Sequence, residues 1–506
     1  MSGELLLTLL AALTLQAPTV PAGAPAAADT LGVGTARAEG GDFPPVGREA
    51  IEALTFPPLV FEPPEAAEHE VLGIPVYHLH DPSLPLVDFF VQLRGGAGHL
   101  SREELAAATA LPAMLRTGGT SALPPDSVDL RIDLLALQLS LAGGGGGTFA
   151  GLNALTHTLD EGMDLLRDLL IDPGFDKETL EVWRGQEAEW IRRREDDPGS
   201  LAYSEFNRLM FGDHPTGWIM VEEDLSPERL SRERLRDVHG KLICRDRLIL
   251  GVSGDLTWED ARERVERFLE PWPECDGTLA EPPHPEIRAE GGVFILPKAV
   301  EQSTVVMAQP GGILQGDTPE YFASRISDHI LGAGGFTSRI MSRIRTEQGL
   351  AYGASSLWTS SRRYEGILGA VTATRPERTV EATRLLLEIM EEFRGVPPLD
   401  EEVADALSEI ANSYVFAFAS ASQIVSRRMA YRAQELPDHW LERYLEGLQE
   451  VTPGSIAEVT GTFLDPSRMT ILIVGDPERF DPGIEALGTL YELSPDGSYR
   501  PWSDRP

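Results

Sequence analysis

The chain has 506 residues, of which 42% are hydrophobic and 24% charged, the balance of an ordinary globular protein. That length is too great for one hydrophobic core, so two or more domains are expected. A formal charge of −37 argues against nucleic acid and against anionic lipid as partners, because both need a basic face.

In chain order, Leu5 to Leu15 is an apolar run too short to span a bilayer, followed by small residues around Ala24 to Ala28. Residues 1–28 resemble a secretory signal peptide, with Glu4 where a positive charge is usual, so export to a periplasm-like compartment is expected. No other segment approaches the length of a membrane span. Residues 29–48, rich in Ala, Pro and Gly, read as a linker. A first domain is then expected over 49–275 and a second linker over 276–290, where Pro282, Pro283 and Pro285 cluster without apolar periodicity. A second domain follows over 291–487, and a tail over 488–506.

Within the first domain, "HEVLGIPVYHLHD" alternates as a strand does. "SREELAAATALPAMLRTGGT" opens on a capping box, Ser101 and Glu104, with Pro112 disfavouring a regular helix beyond it. The run Gly143 to Gly147 lacks the Lys-Ser/Thr of a phosphate loop. It marks a loop or a close backbone approach, the loop being preferred. "LLIDPGFDKETLEVW" reads as helix end, proline turn, Asp176 N-cap and long helix, and "RDRLILGVSGDL" as a buried strand ending at Gly254-Asp255.

The second domain repeats this order. In "SRIMSRIRTEQGLAYGASSLW", Phe336, Ile340 and Ile344 are spaced for one buried helical stripe. Gly349 suits the left-handed C′ position, and a strand is expected from Leu350. "YEGILGAVTAT" follows as a strand, "VPPLDEEVADAL" places an N-cap at Asp400, and "TILIVGDP" ends at Gly475-Asp476. The matching points Gly254/Gly475 and Asp176/Asp400 lie 221 and 224 residues apart, the mark of an internal duplication. The expected class is therefore α+β: two homologous α/β domains, each a mostly antiparallel sheet with helices packed on one face.

The histidines form no His-Glu-x-x-His motif and no inverted one. His78 and His80 share one side of a strand and read as surface polar residues; His99, His157, His214, His239 and His329 read as structural. There is no G-x-S-x-G elbow. Cys244 and Cys275, the only cysteines, make neither a zinc site nor a disulfide framework, and could pair in an exported chain.

"LGAGGFTSRIMSRIRTEQGLAYGAS" resembles the insulinase/pitrilysin-like zinc peptidases, above all the two-domain branch that includes the mitochondrial processing peptidase. "RREDDPGSLAYSEFNRLMFGDHPTGW" and the two Gly-Asp strand ends support the resemblance, which runs from Val46 to Leu487. It implies duplicated α/β units, with two such chains closing around a peptide. The family's zinc box, His-x-x-Glu-His, puts two histidines on one helical face and a glutamate beside them as base. In this chain the box positions fall on Ala110, Ala113 and Met114, or in another register on Ala107, Ala110 and Leu111. Neither register supplies a ligand; the later ligand position falls on Glu189 or Trp190, and a lone Glu189 cannot hold zinc. No metal or cofactor is expected in this chain.

Arg345 and Tyr352 match, without a gap, the pair that in active relatives hydrogen-bonds the substrate carbonyl beside the cut. On residue types alone, Arg345 would complement the end of its helix and Tyr352 would pack with its hydroxyl satisfied. The resemblance implies instead a substrate-binding pair, with Gly332, Gly334 and Gly335 as a flexible loop nearby. The chain then reads as the non-zinc subunit of a heterodimeric peptidase, with peptide as substrate and zinc in a homologous, box-bearing partner. The alternative is a catalytically silent scaffold or peptide-binding homologue.

Overall fold

The computed structural model describes residues 65–437 and 439–504. The expected leader, the first linker and the opening of the first domain, residues 1–64, lie outside the described residues. The first sheet contains β1 (Ala67–Val71), β2 (Ile74–His80), β3 (Leu86–Arg94), β4 (Gln138–Gly143), β5 (Gly147–Leu155) and β6 (Leu248–Gly254), in the order β1-β2-β6-β3-β5-β4. The alternating stretch read as one strand is thus a hairpin, β1–β2. Its turn is made by Leu72 and Gly73, both at positive φ (51° and 83°), the hand that hairpin turns favour.

The second sheet contains β7 (Gly292–Pro297), β8 (Ser303–Pro310), β9 (Ala351–Trp358), β10 (Ile367–Thr374), β11 (Thr470–Gly475), β12 (Leu490–Leu493) and β13 (Tyr499–Pro501), in the order β13-β12-β7-β11-β8-β10-β9. Without the outer strands β1, β12 and β13, the two orders coincide: β2-β6-β3-β5-β4 against β7-β11-β8-β10-β9. In each common core one pair is parallel, β2 with β6 and β7 with β11, and the rest are antiparallel. The duplication read from sequence is therefore a duplication of topology. Residues 488–504, expected as a tail, instead supply β12 and β13 at the sheet edge, with β12 parallel to β7.

The first half carries α1 (Leu105–Thr117), α2 (Pro125–Leu134), α3 (Leu159–Ile171), α4 (Lys177–Asp196), α5 (Pro198–Phe211), α6 (Arg232–Leu242) and α7 (Trp258–Leu269). The second carries α8 (Pro319–Asp328), α9 (Arg339–Met341, continued by a π-helical turn Ser342–Glu347), α10 (Thr379–Gly395), α11 (Asp400–Val415), α12 (Ala421–Ala433), α13 (Trp440–Gln449) and α14 (Pro453–Phe463). Asp176 caps α4 by accepting from the Thr179 amide, as expected. Asp400 does not cap α11: it is the first helical residue, and Glu402 reaches back to the Leu399 amide at 2.8 Å.

Pro112 lies inside α1 rather than breaking it. Eight residues into the helix, the missing amide forfeits one bond to Ala108. The ring fits because Gly143 of β4 lies beneath it; a Cβ there would come within 2.4 Å of the Pro112 ring.

Each half packs its own helices on one face of its sheet. The opposite faces are closed by exchange. From the first half, α5 lays Phe206, Met210 and Phe211 on Phe294, Val306, Leu472 and Val474 of the second sheet. From the second half, α12 lays Ile424, Val425 and Met429 on Tyr77 and Ile249 of the first. Gly251 of β6 makes that second contact possible, since a Cβ there would meet Met429 Sδ at 2.4 Å and Val425 Cγ1 at 2.5 Å. This explains why β6, β8 and β11 are buried along almost their whole length instead of alternating.

Cys244 and Cys275 form a disulfide that clamps the start of the inter-domain linker to the segment before β6. Closing a loop of this span, 31 residues, restricts the unfolded chain by about 3–4 kcal/mol. The double variant Cys244→Ser/Cys275→Ser should lose about that much in a denaturant titration.

Candidate functional site

The turn between α9 and β9 places the two donors singled out by spacing. The helix ends in a π-helical turn, and Gly349 then takes a left-handed φ of 59°, the expected C′ conformation. The Leu350 amide donates back to the Ile344 carbonyl at 2.9 Å, so the strand leaves directly from the helix end. Ile340 and Ile344 are fully buried and seat the helix on the core.

Arg345 and Tyr352 converge across this turn: the guanidinium carbon lies 4.5 Å from the Tyr352 ring centre. A third residue joins them. Phe336, expected in the buried stripe, is 68% exposed, and its ring lies 4.6 Å from the same guanidinium. The helical spacing did not apply to it because Phe336 precedes the helix, in a 3-10 turn Gly335–Thr337. Arg345 is thus held between two aromatic faces. Among the described residues it makes no ion pair or side-chain hydrogen bond, and Tyr352, 82% exposed, has no partner for its hydroxyl. Arg345 does lie in the last turn of its helix, as expected on residue types alone, but Tyr352 is not packed with its hydroxyl satisfied. Tyr352 also sits on β9, the outermost strand of its sheet, where one edge of the backbone is unpaired.

The glycines before this cluster are not a loose loop. Gly332 lies in a π-helical turn, His329–Ala333, pressed on β9; a Cβ there would meet the Ser356 amide at 2.1 Å. A Cβ on Gly334 would meet the His329 carbonyl at 2.7 Å. His329 ties the turn to α11 through Glu409 at 2.8 Å. Only Gly335, at φ 69°, faces open space.

In the other half, Ala110 and Met114 are completely buried on α1 and Ala113 is partly so. Methyl groups and a thioether offer a zinc ion nothing in this geometry. Glu189 is engaged on the surface by Arg193 at 2.9 Å and Arg192 at 3.5 Å. Among the described residues no three His, Cys, Asp or Glu side chains are grouped to hold a metal ion. The residues present do not fit the family's zinc. The glycine run is the β4–β5 hairpin turn, whose carbonyls accept from Gly95, Ala97 and Gly98.

The histidines serve the fold. His78, expected at the surface, is 7% exposed and bonds the Leu256 carbonyl at 2.9 Å, while His80 is 3.8 Å from Asp255. His214 bonds Pro283 and His99 bonds Ala280, both in the linker; His239 bonds Leu170. Burial pulls the pKa of His78, His214 and His239 below the ordinary imidazole value. The fold therefore favours the neutral rings, and the unfolded chain takes up the protons. Their contribution is whole above about pH 6.5 and is lost as the pH falls below it. Acidifying from about pH 7.5 to 5.5 should lower Tm, and His239→Gln should reduce that drop.

Residues 229–410 match the family model described as "Peptidase M16 inactive domain". A protein named "Non-peptidase homolog YmxG" from Helicobacter pylori is 22% identical over 416 residues, which cover 80% of this chain and 93% of that protein. An "uncharacterized zinc protease" from Streptomyces coelicolor is 24% identical over 322 residues, 62% of this chain and 68% of that one. Among solved structures, an M16 inactive domain from Pseudomonas fluorescens aligns with TM-score 0.72 at 22% identity, covering 81% of this chain and 98% of its own. A protease from Helicobacter pylori gives 0.72 at 14% identity, covering 81% and 99%. No helix among the described residues is long and apolar enough to cross a membrane.

Proposed function

Because the chain belongs to the M16 peptidase family, with the inactive-type domain over residues 229–410, we propose that it is the substrate-binding, non-zinc subunit of a heterodimeric metallopeptidase. The observation that carries this reading is the unpaired Arg345 guanidinium, held between Phe336 and Tyr352 on an exposed sheet edge. In a chain with 80 acidic residues against 43 basic ones, an arginine with no carboxylate partner among the described residues is available for a ligand. Its planar fork and the Tyr352 O–H are donors suited to a peptide carbonyl oxygen, whose negative charge grows as a nucleophile adds. The free edge of β9 offers backbone groups to the same extended peptide. A homologous partner chain supplies the zinc and its bound water. The chain's net charge favours basic peptides by long-range attraction. The leader-like residues 1–28 and the Cys244–Cys275 disulfide both support an exported, periplasmic setting.

A second reading has its own support. The relative covered over 93% of its length is named a non-peptidase homolog, which favours a silent scaffold. Affinity purification of the tagged chain from its native cell, followed by native mass measurement, separates the two. A one-to-one complex with a relative bearing His-x-x-Glu-His supports the subunit reading. A monomer or homodimer with no such relative overturns it in favour of the scaffold.

A further inference from the structure

Helix α12 has a second face besides the one that seats it on the first sheet. Gln423, Ser426, Arg427, Tyr431 and Gln434 recur three and four residues apart, so they share one side of the helix. They line a cavity of about 350 Å³, at the lower end of the roughly 300–1,000 Å³ of small-molecule clefts. No residue in it belongs to the Arg345 cluster.

Arg427 is the only charged residue among those lining the cavity. Its guanidinium carbon lies 5.2 Å from the Phe418 ring centre and 5.8 Å from that of Tyr414. Among the described residues it makes no ion pair and no hydrogen bond, and its Nε is buried without a partner. Many other arginines of this chain meet carboxylates, as Arg339 does with Glu402 at 2.8 and 2.9 Å. From Ala421 to Ala433 the helix holds three arginines and no acidic residue, a basic island in an acidic chain.

The neighbours of Arg427 are neutral donors. The hydroxyls of Tyr431 and Tyr414 lie 3.2 Å apart, so one donates to the other and the second O–H has no partner among the described residues. Burial pushes the Tyr414 hydroxyl far up, which keeps the pair protonated. Gln423 and Gln434 bring amides, while the Ser426 hydroxyl already donates to the Gln423 carbonyl at 3.2 Å. Arg428 is turned away over the Tyr77 ring, at 5.9 Å, so the cavity holds one positive charge.

We propose that this cavity binds a carboxylate group through Arg427. One guanidinium fork with neutral donors around it suits a planar monoanion, which it can grip with two parallel hydrogen bonds. A dianionic phosphate would call for a second cation, and none lines the cavity. The carboxylate is the free end of a peptide or a small organic acid.

The test is binding of dye-labelled tetra-alanine to the full chain, once with a free carboxyl terminus and once with a terminal amide. The acid form is expected to bind at least about tenfold more tightly, as loss of a bond to a charged group requires. Arg427→Gln should abolish that preference, and Arg262→Gln, at a surface ion pair on α7, should leave it unchanged. Acetate that displaces the acid peptide at the peptide's own concentration range identifies a small acid as the ligand; displacement only by peptide acids identifies a chain terminus. Equal binding of acid and amide, no binding of the acid up to millimolar concentration, or an unaltered preference in Arg427→Gln would each overturn the proposal. An Arg427→Gln variant that only lowers Tm would assign the residue to packing and overturn it too.

Discussion

Arg345→Ala, assayed in the complex with a zinc-bearing partner, is expected to lower kcat/KM by about 10²–10³-fold while the complex still assembles. That is the usual loss when one donor to a developing oxyanion is removed. The fall should appear mainly in kcat, because the oxygen carries more charge in the transition state than in the bound peptide. Arg345→Lys should recover little of it. A lysine keeps the charge but has neither the planar fork nor the flat face that stacks between Phe336 and Tyr352. Tyr352→Phe keeps the ring stack and removes only the O–H, so it isolates the second donor. Full activity in Arg345→Ala would remove the proposed role.

The second large effect is on stability. Phe206 is almost wholly buried where α5 closes the second sheet, so Phe206→Ala should cost about 3–5 kcal/mol of unfolding free energy. Although Phe206 lies in the first half of the sequence, the loss should register in the second, as faster proteolysis around β7 and β11. Gly251→Leu tests the opposite contact, because its side chain would occupy the place of Met429 and Val425. Loss of under about 1 kcal/mol in Phe206→Ala, against the range for buried aromatics, would show that the exchanged helix is not needed to cover the sheet.

These two predictions also mark what the sequence reveals and what it hides. The duplication was legible because Gly254-Asp255 and Gly475-Asp476 end equivalent strands, β6 and β11. At Gly254, φ is 113° and a Cβ would come within 2.1 Å of the Leu86 carbonyl, so only glycine serves. The exchange of α5 and α12 was not legible. An amphipathic helix records that one face is covered, never by which sheet. Arg345 and Tyr352 could be read because one left-handed glycine fixes how the chain turns between them. Phe336 stands three residues before the helix begins, so helical spacing does not decide its burial. The burial of His78 was hidden and the cysteine pairing stayed open for a different reason: both are set by tertiary neighbours.

The exchanged helix also sets a timetable for synthesis. The first sheet has all its strands once Gly254 is made, but its cover is complete only at Ala433, ~180 residues later. At about 5–20 residues per second a ribosome takes roughly 10–40 s to bridge that gap. Throughout it, the face bearing Tyr77 and Ile249 has nothing to rest against, and unpaired apolar sheet is where nascent chains stick to one another. A chaperone that holds the early half open for those seconds would be part of how this protein reaches its native state.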